Sequence, residues 1–172
     1  MIRKAAQIDM NAIMVMIKRV VEVMNAQGSQ QWDESYPSQA DYQKDLKRGE
    51  LYVLENQDII RGVCTISKRG HQEYHLINWS HDEPAWTIKR IAIDPDYRGQ
   101  GAADQFLAFA EQLAVDSGVN YLTTDTYSEN EYAQRLFKRH GFQFVEVREY
   151  ENEQLVYFEK KLTRSELANE WI

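Results

Sequence analysis

The clearest chemistry in this chain is offered by Arg98-Gly99-Gln100-Gly101-Ala102-Ala103, a run suited to holding a phosphate-rich anion. Glycines at alternate positions let a ligand approach the backbone without meeting a Cβ, and Arg98 adds a fixed positive charge. Such a turn works at the N-terminus of a helix, where the first N–H groups have no partner and the helix dipole favours negative charge. The flanks supply that setting. Trp86-Thr87-Ile88-Lys89-Arg90-Ile91-Ala92-Ile93 reads as a buried strand upstream, and Ala102, Ala103, Phe106, Leu107, Ala110, Leu113 and Ala114 recur downstream at helical spacing. A diphosphate-bearing ligand is the natural guess.

Two common nucleotide loops do not fit. A P-loop needs Gly-Lys-Ser/Thr, which is missing here. A dinucleotide fingerprint needs a third glycine where Asp104 stands, and its turn follows the strand directly, whereas Asp94-Pro95-Asp96-Tyr97 intervenes. Asp125 does end the next apolar run at about the ribose-binding distance, but too little chain follows it for the remaining parallel strands.

A third pattern, Arg/Gln-x-x-Gly-x-Gly/Ala, is matched by residues 98–103 at every defined position. A second block, Asn130-Glu131-Tyr132-Ala133-Gln134-Arg135-Leu136-Phe137-Lys138-Arg139-His140-Gly141-Phe142, is similar to Asn-x-x-Ala-x-x-Leu-Tyr-x-x-x-Gly-Phe. With both blocks in order, the chain resembles the GNAT superfamily of acyl-CoA N-acyltransferases, strongly over residues 84–143 and by element order elsewhere.

The resemblance implies an α/β fold of the α+β kind: a central seven-strand, mostly antiparallel sheet with one parallel pair at the CoA site and four flanking helices. It implies acetyl-CoA as acyl donor, with no metal. Arg98, Gly99, Gln100, Gly101, Ala102 and Ala103 would hold the pyrophosphate, and Asn130 would contact CoA. The backbone of Ile91, Ala92 and Ile93 would pair with the pantetheine arm and polarise the thioester carbonyl. The implied function is transfer of an acetyl group to a primary amine, of a small molecule or a peptide, by direct attack.

An amine is protonated at neutral pH, so the site needs a base. Asp125 at the end of its strand, Glu83, Asp33 and Glu34 are candidates, with Asp125 carried forward. Many members carry a tyrosine that protonates the leaving thiolate, and the matching residue here is Phe137, which has no proton to give. A thiol of pKa about 8.5 can leave as thiolate and be protonated by water. Tyr127 just before the same helix can also serve, as can Tyr132, although Tyr132 points well away from Phe137. The departure at Phe137 keeps open a reading of another class, a CoA-binding sensor or regulatory module without turnover.

Gln31-Trp32-Asp33-Glu34-Ser35-Tyr36-Pro37 has two readings that stay open. Trp32 and Tyr36 either pack between the first two helices or wall an acceptor site in which the carboxylates attract an amine. Arg135, Lys138 and Arg139 are either a solvated helix face or partners of CoA phosphate. His71, His75 and His81 share one connection at spacings that fit no common zinc pattern.

The remaining elements follow from periodicity. Ile2 to Ala5 is a first strand, and Met10, Ile13, Met14, Ile17, Val20, Val21 and Met24 mark the buried stripe of a long helix. Ser38 with Asp41 caps a second helix. Leu51–Glu55 and Ile59–Lys68 form a hairpin around Asn56-Gln57-Asp58. After the Gly-loop helix comes the strand Tyr121–Thr126, parallel to its predecessor because a helix crosses between them. Ser128 to Glu131 reads as a capping box, and Gly141 closes the helix that follows. Phe142–Glu149 and Leu155–Leu162 make a last hairpin, and Ser165–Ile172 is a candidate short helix. The domain expected is 1–162, with 163–172 as a tail.

The chain has 172 residues, enough for a real core. Its formal net charge of -7 argues against nucleic acid or an anionic membrane as partner. No apolar run is long enough to span a bilayer, the N-terminus lacks a signal-peptide profile, and the lone Cys64 suits a reducing cytoplasm. A homodimer stays open.

Overall fold

A computed structural model describes residues 1–29 and 31–162. The proposed helix at Ser165–Ile172 and the tail 163–172 lie outside the described residues. Seven strands form one sheet in the order β1-β2-β3-β4-β5-β7-β6: β1 Ile2–Lys4, β2 Leu51–Asn56, β3 Ile59–Ser67, β4 Trp86–Ile93, β5 Tyr121–Tyr127, β6 Gln143–Tyr150 and β7 Glu153–Lys161. Four α-helices accompany them among the described residues: α1 Met10–Ala26, α2 Gln39–Lys47, α3 Ala102–Asp116 and α4 Glu131–Arg139. The pairs β1–β2, β2–β3, β5–β7 and β6–β7 are antiparallel, whereas β4 and β5 run parallel with the register Trp86↔Leu122 and Thr87↔Thr123.

Within the 1–162 span the chain forms two compact units. The first comprises Met1–Ile66 and Lys89–Phe106; the second comprises Ser67–Ile88 and, among the described residues, 107–162.

In the first unit, α1 buries Met10, Ile13, Met16, Ile17, Val20 and Val21 against Trp32, Tyr42, Leu51, Val53, Val63 and Ala92. Met16 takes the place expected for Met14 and Met24, which are half-buried at the edge of this cluster. The reason is helical geometry, since Met16 lies one turn on from Ile13 and beside Ile17. Ser38 caps α2 as expected, its Oγ accepting from the Asp41 N–H at 3.2 Å while Asp41 Oδ2 accepts from the Ser38 N–H at 2.7 Å. The β2–β3 turn is closed by Gln57 and Asp58, both at positive φ (52° and 64°), the geometry that matches the twist of a two-residue hairpin.

In the second unit, Tyr74, Ile77, Leu155 and Tyr157 form a core joined by Trp79, Tyr127 and Val145. The connection after β3 contains a 3-10 turn at Gln72–Leu76 that carries Tyr74 into this core. β6 ends the sheet order, and its register with β7 shifts at a bulge between Phe144 and Glu146.

The capping box expected at Ser128 is corrected. The N-cap of α4 is Asn130, whose side chain accepts from the Ala133 N–H at 3.0 Å. Ser128 is still tied to β7, its N–H donating to the Gln154 carbonyl at 2.9 Å, so the chain leaves the sheet too late for it to start the helix.

Candidate active site

The Gly-loop belongs to the first unit. β4 ends at Ile93, Asp94 caps a 3-10 turn over Pro95–Tyr97, and α3 begins at Ala102. Asp94 is buried, accepts from the Asp96 N–H at 3.0 Å, and is clasped by Arg61 Nη1 at 3.0 Å and Arg19 Nη1 at 3.2 Å. Those ion pairs fix the turn that delivers the loop. Arg98, Gly99, Gln100 and Gly101 are exposed, whereas Ala102 and Ala103 pack inward. Gly99 and Gly101 sit at φ +78° and +75°, and a Cβ at either would meet nothing within 4 Å. Glycine is required here by the left-handed backbone, and the space around it is open. Exposed glycines beside the first turn of α3 form a cradle that suits a diphosphate.

Ahead of the loop, Ile91 and Ile93 are half-buried and Ala92 is buried. Just before them Arg90 has φ +49° within the strand, which for a residue bearing a Cβ costs on the order of 1–3 kcal/mol. Its guanidinium makes a two-bond ion pair with Asp45 of α2, at 2.9 and 2.7 Å, and Nη1 donates to Tyr36 Oη at 3.4 Å. Lys89 is only 8% exposed. Burial first, and the like charge of Arg90 second, bring its pKa down to about 8.

The 31–37 segment also lies in this unit. Trp32 is buried in the α1 core at 7% exposure, while Tyr36 is 37% exposed, and their rings meet edge to face at 6.5 Å. Asp33 closes a turn, accepting from Ser35 Oγ at 2.6 Å, Ser35 N–H at 2.7 Å and Tyr36 N–H at 3.1 Å. The Ser35 hydroxyl leads the effects that hold its carboxyl below the usual value. Glu34 is exposed.

The second unit holds the other expected residues. Asp125 is half-buried in β5 and accepts from the hydroxyl of buried Tyr74. Burial, then the Asp125 charge, push that phenol well above its usual pKa. Tyr127 donates to Glu153 Oε2 at 2.5 Å, and Glu83 pairs with Lys161 at 2.5 Å. Asn130 spends its side-chain oxygen on the α4 cap. Phe137 is 2% exposed, with ring centroids 5.7 Å from Phe142 and 5.6 Å from Phe158. Arg135, Lys138 and Arg139 are exposed and Tyr132 is 61% exposed. Sequence reasoning missed Tyr74 and Glu153, whose partners are 51 and 26 residues away in the chain. Among the described residues no group of three or more His, Cys, Asp or Glu side chains is arranged to hold a metal ion, and no helix is long and apolar enough to cross a membrane.

Known proteins are similar to this chain in sequence and in fold. The model of the acetyltransferase (GNAT) family matches residues 17–142. The uncharacterized N-acetyltransferase YycN of Bacillus subtilis (strain 168) is 32% identical over 74 residues, 40% of this chain and 47% of that protein. An aminoglycoside N(6')-acetyltransferase type 1 of Salmonella typhimurium is 24% identical over 88 residues, 51% of this chain and 56% of that one. The chain thus spans about half the length of the curated relatives it matches. A GNAT-family acetyltransferase from Streptococcus agalactiae 2603 superposes with a TM-score of 0.82 at 24% identity, covering 95% of this chain and 96% of the other. The Escherichia coli ribosomal-protein-S18-alanine N-acetyltransferase does so with a TM-score of 0.70 at 17% identity, covering 95% and 94%. By its family match, its sheet order and its one parallel strand pair, this chain belongs to the acetyltransferase (GNAT) family.

Proposed function

We propose that the chain is an acetyl-CoA-dependent N-acyltransferase that moves an acetyl group to a primary amine by direct attack on the thioester. The observation that carries this reading is the cradle at Gly99 and Gly101, where positive φ and open space coincide at the start of α3. The residues present fit CoA. Its diphosphate matches the first-turn N–H groups with Arg98 alongside, and Gln100, Ala102 and Ala103 complete the loop. Asn130 contacts CoA through its amide NH2, since its oxygen caps α4.

Bound acetyl-CoA supplies an electrophilic thioester, and this chain's groups position it and move the protons. Backbone groups of Ile91, Ala92 and Ile93 hold the pantetheine arm and polarise the carbonyl. Asp125 is assigned as base, directly or through water. Of the other candidates, Asp33 is committed to a turn and Glu83 to an ion pair, whereas Asp125 is half-buried and oriented by the Tyr74 hydroxyl. On departure the thiolate is protonated by water or by Tyr127, whose own proton is shared with Glu153. The acceptor is a small amine or a basic peptide, with Tyr36 exposed at its side of the site and Trp32 packed behind Tyr36 in the α1 core. The relative named for aminoglycoside N(6')-acetylation and the net charge of -7 both favour a cationic amine. Cys64, fully buried and with its thiol pushed well up by burial, is no nucleophile. As a lone cysteine it suits a cytoplasmic protein.

One observation favours a second reading, a CoA-binding module without turnover: Phe137 is packed between Phe142 and Phe158 and cannot supply an acid. Thiol release from acetyl-CoA across a panel of amines separates the two, with calorimetric CoA binding measured on the same protein. Turnover with any amine establishes the transferase. Binding without turnover over the whole panel establishes the module, and absence of both overturns the CoA reading.

A further inference from the structure

Arg90 holds φ +49° in the body of β4, a backbone state that a residue with a side chain keeps only when its surroundings impose it. The surroundings here are α2 and β3. Asp45, 1% exposed, accepts from Arg90 Nε at 2.9 Å and from Nη2 at 2.7 Å. The same carboxylate accepts from Thr65 Oγ1 of β3 at 2.6 Å, which fixes its orientation. Tyr42, three residues before Asp45 on α2 and fully buried, donates its hydroxyl to the Arg90 carbonyl at 3.3 Å. One helix therefore holds both the side chain and the backbone of Arg90. A buried ion pair alone is weak evidence of a purpose, because the cost of removing both charges from water offsets much of their attraction. What singles this pair out is the carbonyl, which faces a phenol on α2 at the one β4 residue whose φ is positive.

We propose that Asp45 and Tyr42 are positioning residues: they hold β4 kinked at Arg90, so that the backbone groups of Ile91, Ala92 and Ile93 are turned to receive the acyl donor. This rests on the acyltransferase reading above. The kink comes immediately before the three residues assigned to the donor, so an unkinked strand would rotate their N–H and C=O groups away. Gly62 of β3 supports the same stretch from another side. A Cβ there would stand 2.9 Å from the Phe106 ring, 3.1 Å from Ile93 Cδ1 and 3.3 Å from the Ala92 carbonyl, so these residues are closely packed where the donor strand passes.

Glycine provides the test, since it adopts positive φ without penalty while lacking the guanidinium. An unpaired Asp45 would itself destabilise the fold, so the comparison is made between Asp45→Asn/Arg90→Gly and Asp45→Asn/Arg90→Ala. Both lose the ion pair, and only the second resists the kink. CoA affinity is measured by calorimetry, KM for acetyl-CoA and for the amine by steady-state kinetics, and folding by melting curves. The glycine variant is expected to bind CoA within about threefold of the parent and the alanine variant about tenfold more weakly or worse, with the amine KM moving less than the acetyl-CoA KM in both. Tyr42→Phe, which keeps the ring and removes the hydroxyl, is expected to raise the acetyl-CoA KM in the Arg90 protein and to leave it unchanged in the glycine variant. Equal CoA affinities for the two double variants, with both folded, would overturn the inference and leave the ion pair a fold contact. If neither double variant folds, Tyr42→Phe decides alone, and an unchanged acetyl-CoA KM in the Arg90 protein overturns it. A parent protein that binds no CoA overturns the acyltransferase reading instead.

Discussion

The phenol of Tyr74, carried by the 3-10 turn Gln72–Leu76, donates to Asp125 Oδ1 in β5. Burial and the neighbouring carboxylate both raise the pKa of this phenol, so it remains a donor throughout the working pH range. A donor of this kind favours the charged form of Asp125. Tyr74→Phe removes that donor, and with it one support of the charged carboxylate. If Asp125 is the base, the acidic limb of kcat/KM is expected to move to higher pH in Tyr74→Phe, and Asp125→Asn is expected to lose about 10²-fold or more in kcat. A limb that stays in place in a folded Tyr74→Phe protein assigns the base elsewhere.

Donor affinity should depend on the backbone of the loop more than on its charge. Gly101→Val forces a branched residue into φ +75° and fills the open cradle, whereas Arg98→Ala removes a contact worth about 1.5–3 kcal/mol. Calorimetric titration with CoA is expected to show the larger loss for Gly101→Val. A valine variant that binds like the parent removes the loop from the site.

Trp32 and Tyr36 should separate. Trp32 is buried among α1 side chains, so Trp32→Ala is expected to cost about 3–5 kcal/mol of stability and to affect donor and acceptor alike. Tyr36, exposed and next to Arg90, is expected on truncation to raise the acceptor KM with little change in Tm. Melting curves beside steady-state kinetics read both. An acceptor-only effect of Trp32→Ala would place it in the wall of the site.

Lys89 links stability to pH. Below about pH 8 the folded and unfolded chains both carry its proton, and the folded chain bears the cost of a charge on a largely buried side chain, which Asp45 and Glu50 offset only in part. Between about 8 and the ordinary lysine value of 10.5 the folded form releases the proton first. The unfolded chain then binds more protons, and this residue makes stability rise with pH across that window. Lys89→Met is expected to flatten the rise and to gain about 1–2 kcal/mol at pH 7, with less gain at pH 10. Denaturant titrations at the two pH values measure it, and parallel pH profiles for parent and variant would refute the coupling.

Elements whose signals are local were legible in the sequence: the Ser38 cap, the α1 stripe, the hairpins, and the helical crossover that makes β5 parallel to β4. The Gly-loop was legible for the same reason, since strand, turn and helix are contiguous. Asn130 was singled out, but its capping task was given to Ser128, because Ser and Asn cap equally well and only the Ser128–Gln154 backbone bond decides between them. Tyr74 and the Asp45–Arg90 pair were out of reach, because their partners lie 51 and 45 residues apart and no spacing rule joins them. The positive φ of Arg90 is likewise imposed by tertiary contacts and left no mark in local composition.

The bulge between Phe144 and Glu146 interrupts the border that β6 would offer to a second chain. β6 closes the sheet order with Phe144, Val147 and Tyr150 exposed, a combination that would let a neighbouring chain extend the sheet by backbone pairing. An incoming strand laid along it would lose register at the bulge, and beyond that point it would meet Glu146, Arg148 and Glu149. Removing the inserted residue, Val145, would straighten that border, and the expected consequence is fibrillar self-association where the parent stays dispersed.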